Sequence, residues 1–160
     1  MELLRLQLAL QPSQPSVEFQ HLKRNPANET PSELINMGIF YRQIGNEAVS
    51  WEYLMQALRK LLATGQFESG KDSLFPIALE VLGLLAMDQE EMRHAAVVLG
   101  ATEAQREALN ARWSEAEWND LTQEMAPIRA ILDENEFASA WAKGRAMTLE
   151  QITAYVLESQ

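Results

Sequence analysis

The sequence predicts an all-α protein of about seven helices, arranged as stacked antiparallel hairpins, and three observations carry that prediction. One spacing occurs twice. Leu34-x-x-Met37-Gly38-x-x-Tyr41 is followed twelve residues after its glycine by Ser50-x-x-x-Leu54, and Leu79-x-x-Leu82-Gly83-x-x-Ala86 is followed at the same offset by Ala95-x-x-x-Leu99. A glycine on one helix and a small residue on the next let two backbones approach closely, with large residues filling the flanks. Helix-start signals then recur along the chain at Thr30, Asp88, Ser114, Asp133 and Thr148, each with Glu or Gln three residues later. Finally, no segment after residue 10 alternates apolar and polar residues as a half-buried strand does.

Residues 1–30 read as an N-terminal extension and residues 31–160 as the helical domain. Leu3, Leu6 and Leu10 fit a short helix face, although Leu4, Leu6, Leu8 and Leu10 also alternate. Two prolines and two serines in residues 11–16 mark a bend, and residues 17–23 make at most two turns before Asn25-Pro26. Thr30-Pro31-Ser32-Glu33 opens the first clear helix, which runs to about Ile44 and stops at Gly45-Asn46. The second runs from Glu47 to about Ala63 on a stripe of Trp51, Leu54, Leu58, Leu61 and Leu62. A polar loop over residues 64–73 and a lengthened second helix absorb a repeat distance of 45 residues between Gly38 and Gly83.

The third helix starts near Pro76 and is apolar nearly all round, through Ile77, Leu79, Val81, Leu82, Leu84, Leu85 and Met87, so it is expected at the centre of the core. Asp88-x-x-Glu91 is expected to cap the fourth helix, which continues to about Arg112 and faces inward with Met92, Ala95, Ala96, Leu99 and Leu109; Gly100 is a site for close approach. Ser114 caps a fifth helix carrying Trp118, Leu121, Met125, Ile128 and Leu132, kinked at Pro127. Asp133 opens a short sixth helix with Phe137, Ala140 and Trp141 that stops at Gly144. Thr148 opens the last, with Met147 and Ile152 placed as a hydrophobic staple.

The doubled spacing resembles the tetratricopeptide repeat. Residues 75–157 further resemble the C-terminal end of the helical arrays that follow ATPase domains in bacterial signal-transduction regulators, including LuxR-type activators of transcription. The residues that carry this are the run from Ala95 to Ala104 and the run from Phe137 to Glu150, above all Phe137-x-x-x-Trp141-x-x-Gly144-Arg145. The chain has no Gly-x-x-x-x-Gly-Lys phosphate loop and no basic recognition helix. The resemblance therefore implies an array without its engine: a non-enzymatic interaction module, regulatory or sensory, that docks a protein or peptide partner and needs no cofactor. Its contact surface would be the inner face of each first helix, Ile35, Ile39, Arg42 and Gln43 in one repeat and Glu80, Leu84, Met87 and Asp88 in the next. That face lacks the lysine-and-asparagine set with which some members grip a terminal carboxylate, and an apolar groove with polar rims suits a helix or extended peptide. Burial of the same face by residues 1–23, or by a second copy of the chain in a homodimer, is the alternative.

Composition narrows the classes. The formal charge of −10 over 160 residues repels a phosphate backbone, so nucleic acid is not an expected partner. No apolar run reaches the roughly 18 residues a membrane span needs, and the start carries Glu2 and Arg5 with no cleavage site, so a cytoplasmic protein is expected. The absence of cysteine removes disulfides and thiolate metal sites. Glu18-x-x-His21 and Glu91-x-x-His94 have the spacing of ferritin-like di-metal carboxylate proteins. The first lies on a segment too short for a bundle helix, and surface histidines are the simpler reading. Asp133-Glu134-Asn135-Glu136 lacks the glycine and alternating ligands of a calcium loop. Of the four tryptophans, Trp118 and Trp141 lie on apolar stripes and are expected in the core, while Trp51 and Trp113 are unassigned. No serine or threonine has a readable histidine partner for nucleophilic catalysis.

Overall fold

The computed structural model describes residues 28–65 and 73–158. They form eight α-helices with no strand among them: α1 (Pro31–Gln43), α2 (Glu47–Thr64), α3 (Leu74–Asp88), α4 (Met92–Ala108), α5 (Glu115–Glu124), α6 (Ala126–Ile131), α7 (Glu134–Arg145) and α8 (Leu149–Glu158). The all-α expectation holds. The short helices expected over residues 3–10 and 17–23, and most of the polar loop, lie outside the described residues.

Local chemistry sets most of the helix starts. At Thr30, Ser114 and Asp133 the side chain accepts from the backbone N–H three residues on, and that residue's glutamate accepts from the cap's own N–H. Thr148 and Gln151 make the same exchange at α8. Asn46 caps α2 through Val49 N–H. The expected cap at Asp88 is not there. Asp88 is the last residue of α3 and Glu91 stands at the start of α4, so Asp88 is drawn instead to a distant arginine.

Helix ends repeat as faithfully as the glycine spacing does. After α1, Gly45 N–H bonds to Arg42 C=O and Asn46 N–H to Tyr41 C=O; after α3, Glu90 N–H bonds to Met87 C=O and Glu91 N–H to Ala86 C=O. Gly45 (φ 81°) and Glu90 (φ 64°) both take the left-handed conformation that such an end requires. Asn110 (φ 55°) repeats the motif after α4, which therefore ends at Ala108 and not near Arg112.

The two hairpins are closed in the same way. A Cβ at Gly38 would lie 2.6 Å from Leu54 Cγ, and one at Gly83 2.8 Å from Leu99 Cγ. The matching small residues, Ser50 and Ala95, are fully buried, and Ser50 Oγ donates to Gly38 C=O at 2.7 Å. Helix α3 explains its lack of a polar face by serving two cores. Leu79, Val81, Leu82 and Leu85 pack with α1, α2, Val98, Ile152 and Val156, while Leu84, Ala86 and Met87 pack with Leu99, Leu121, Met125, Ile128 and Phe137.

Two corrections concern the C-terminal half. Pro127 does more than kink a helix: the segment divides at Met125 into α5 and α6, because Pro127 sits in the first turn of a new helix, and the described residues keep to the expected count of about seven. Gly144 does not stop a helix. It lies within α7, where a Cβ would collide with the carbonyl of Val97, and Gly100 meets the Trp141 carbonyl in the same manner. The close approach expected at Gly100 is thus real, its partner being the Trp141 backbone of α7. No described helix is long and apolar enough to cross a membrane.

Candidate functional site

The eight residues singled out by repeat register do not form an open apolar groove. Ile35, Leu84 and Met87 are buried, the last two among Leu121, Met125 and Ile128 of α5 and α6 and their junction. Ile39 is half-buried against the first core, and Gln43 is exposed. Arg42 and Asp88 do come together. The Arg42 guanidinium donates Nε to Asp88 at 2.6 Å and Nη1 to Glu124 at 2.8 Å, tying α1, α3 and α5. These bonds hold its pKa above the ordinary arginine value despite the opposing effect of burial, which is the largest single influence. Glu80 serves elsewhere, as described next.

A second surface was not legible as a unit. Glu80 Oε2 accepts from Arg106 Nη2 and from Trp113 Nε1, both at 2.8 Å. One hairpin further on, Glu103 Oε2 accepts from Trp141 Nε1 at 2.7 Å and pairs with Arg145 Nη1 at 2.6 Å. Each triad fixes an indole by its N–H and leaves the ring faces for other contacts. Arg145 also bonds Glu107 at 2.8 Å, which raises the arginine's pKa and lowers that of Glu107. Trp118 joins the two triads: its ring lies 5.4 Å from Trp113 and 6.1 Å from Trp141, the latter edge-on. Trp118 and Trp141, expected in the core, are half-buried instead.

Two depressions flank Trp118. The smaller, about 200 Å³, is lined by Glu103, Arg106, Glu107, Arg112, Trp113 and Trp118. The larger, about 410 Å³, lies between α4, α5, α6 and α7 and is lined in part by Trp118, Arg129, Glu134, Phe137, Trp141 and Arg145. That is within the range of small-molecule sites. Arg129 Cζ lies over the Phe137 ring, 4.0 Å from its centroid.

His94 stacks on Tyr155 at 4.6 Å, with Lys143 over the far ring at 5.1 Å. Burial, seconded by Lys143, lowers the His94 pKa against the opposing pull of Glu91, so imidazole is favoured over imidazolium. Glu18 and His21 lie outside the described residues. Among those described, no three metal-ligating side chains converge. Comparison of the chain with protein-family models, curated proteins and solved structures returns no match.

Proposed function

We propose that this chain is a non-catalytic protein-interaction module of the tetratricopeptide-like kind, a regulatory or sensor piece that docks a protein partner. The observation that carries the reading is the duplication of one hairpin at 45-residue spacing, in its glycine contacts (Gly38–Leu54, Gly83–Leu99), its small residues (Ser50, Ala95) and its turns (Gly45, Glu90). Stacked hairpins of this type bury their faces against neighbours and offer a continuous side to other chains. On the α1–α3 side a partner would meet Gln43, Ile39 and the Arg42–Asp88 rim, with Ile35, Leu84 and Met87 supporting that surface from beneath.

The test compares the full chain with Gln43→Arg, an exposed position, in affinity capture from the native cell followed by light scattering of the reconstituted complex. A stoichiometric partner whose binding Gln43→Arg weakens supports the proposal. Partner binding that is indifferent to the change removes the α1–α3 side from it. A homodimer that Gln43→Arg dissociates would favour self-association over a foreign partner.

A further inference from the structure

The inner face that repeat register assigns to a partner is covered by the chain's own α5 and α6. Leu84 and Met87 of α3 share a core with Leu121, Met125 and Ile128. Arg42 of α1, already paired with Asp88, holds Glu124 of α5 at 2.8 Å. Leu121, Met125 and Ile128 stand at i, i+4 and i+7, and Met125, at the junction, stays in the helical region of backbone space. That is the anchor spacing with which an amphipathic helix lies in an apolar groove. Glu124, at i+3, adds the acidic group that meets the guanidinium of the face.

The cover is thinly held. Helix α5 buries Leu121 alone of its 10 residues and α6 Ile128 alone of its 6, with Met125 buried between them. Trp118 adds ring contacts to Trp113 and Trp141, and Arg129 adds one to Phe137. Helix α3 beneath buries most of its 15 residues. Helices as short as α5 and α6 are not stable by themselves. Three buried side chains and a clasp whose members are 18% and 44% exposed therefore decide whether the segment stays seated.

We propose that α5–α6 is an internal ligand, a tethered helix that occupies the docking face and gives way to a partner helix of the same chemistry: apolar at i, i+4 and i+7, with a carboxylate at i+3. This deepens the docking reading and rests on it. It names the partner as an acidic amphipathic helix and makes its binding a displacement.

The test titrates a fluorescein-labelled synthetic peptide of residues 114–132 into the full chain and into full-length Glu124→Arg, read by fluorescence anisotropy. Position 124 is exposed, so the variant is expected to fold, which far-UV circular dichroism checks. Setting a second guanidinium against Arg42 is expected to unseat α5–α6. The variant is then expected to bind the peptide about tenfold more tightly than the parent, because apparent affinity scales with the fraction of chains whose face is uncovered. A peptide that itself carries Glu124→Arg is expected to bind the variant about tenfold more weakly than the parent peptide does. The parent chain gives a readout that needs no variant: its α5–α6 amides are expected to exchange with solvent faster than those of α3 and α4. Equal peptide binding by the two chains, equal binding of the two peptides, or α5–α6 amides as protected as those of α3 would overturn the proposal. A cellular partner captured through Gln43 with no peptide binding would also overturn it, while leaving the docking reading in place.

Discussion

Replacing Gly144 by alanine puts one methyl group where α7 crosses α4, and the structure allows its cost to be worked out. An ideal Cβ there overlaps the Val97 carbonyl oxygen and lies 2.7 Å from Ala101 N and 2.8 Å from Val97 C. All three atoms are backbone in the interior of α4, so relief requires the helices to separate rather than a side chain to turn. Overpacking of this kind costs about 3 kcal/mol or more, at the upper end of its usual range. Alanine returns about 1 kcal/mol through helix propensity. The net expectation is a loss of about 2 kcal/mol, or roughly 6–8 °C in melting temperature for a domain of this size. Gly83→Ala is the internal comparison, because the nearest atoms to its Cβ would all be side-chain ones, Leu99 at 2.8 and 2.9 Å and Val98 Cγ1 at 3.4 Å. Leucine can change rotamer, so that variant is expected within about 1 kcal/mol of the parent. Thermal and urea unfolding followed by far-UV circular dichroism reads both. Gly100→Ala combined with Gly144→Ala is expected to cost less than the sum of the two, since one separation relieves both clashes. A Gly144→Ala variant as stable as the parent would refute the close approach.

Three further outcomes follow from named contacts. Glu90 holds a left-handed conformation that its repeat counterpart fills with Gly45, so Glu90→Gly is expected to raise stability by about 0.5–1 kcal/mol in urea unfolding, the gain being limited by the freedom glycine adds to the unfolded chain. Arg42→Met leaves Asp88 and Glu124 without their guanidinium; with Arg42 only 18% exposed but Glu124 at 44%, the expected loss is about 1–2 kcal/mol, mostly from the Asp88 arm. His94 has a folded-state pKa below its unfolded value, so the unfolded chain takes up a proton first as pH falls. Its stabilising contribution is therefore complete above about pH 6.5 and declines below that; His94→Phe, which keeps a ring against Tyr155, is expected to flatten the pH dependence of the urea midpoint over that range.

What could be read from the sequence was whatever is local or repeated. The caps at Thr30, Ser114, Asp133 and Thr148 are decided within four residues, and the hairpin spacing states itself twice. Misreadings arose where a long-range contact competed with a local pattern. Asp88-x-x-Glu91 has the letters of a cap, but Arg42, 46 residues away in sequence, holds the carboxylate. Gly144 has the position of a helix stop, because a glycine needed for a helix crossing looks in sequence like one needed for a left-handed turn. Repeat register placed Leu84 and Met87 on an inner face, yet register cannot say that Leu121, Met125 and Ile128 share their core. The tryptophan surface gave only a partial signal, Glu80, which is the one charged residue of α3 before its final Asp88; its pairing with Trp113 and Arg106 spans 33 and 26 residues.

The central claim is that glycines at matched offsets let helices approach closely, against a leucine side chain within each hairpin and backbone against backbone between α4 and α7. Interproton NOEs test it most directly. The account predicts strong cross-peaks from the Gly144 α-protons to the Ala101 amide, and from the Gly38 and Gly83 α-protons to the methyl groups of Leu54 and Leu99. A spectrum of the folded chain that lacks the Gly144–Ala101 cross-peak would contradict it.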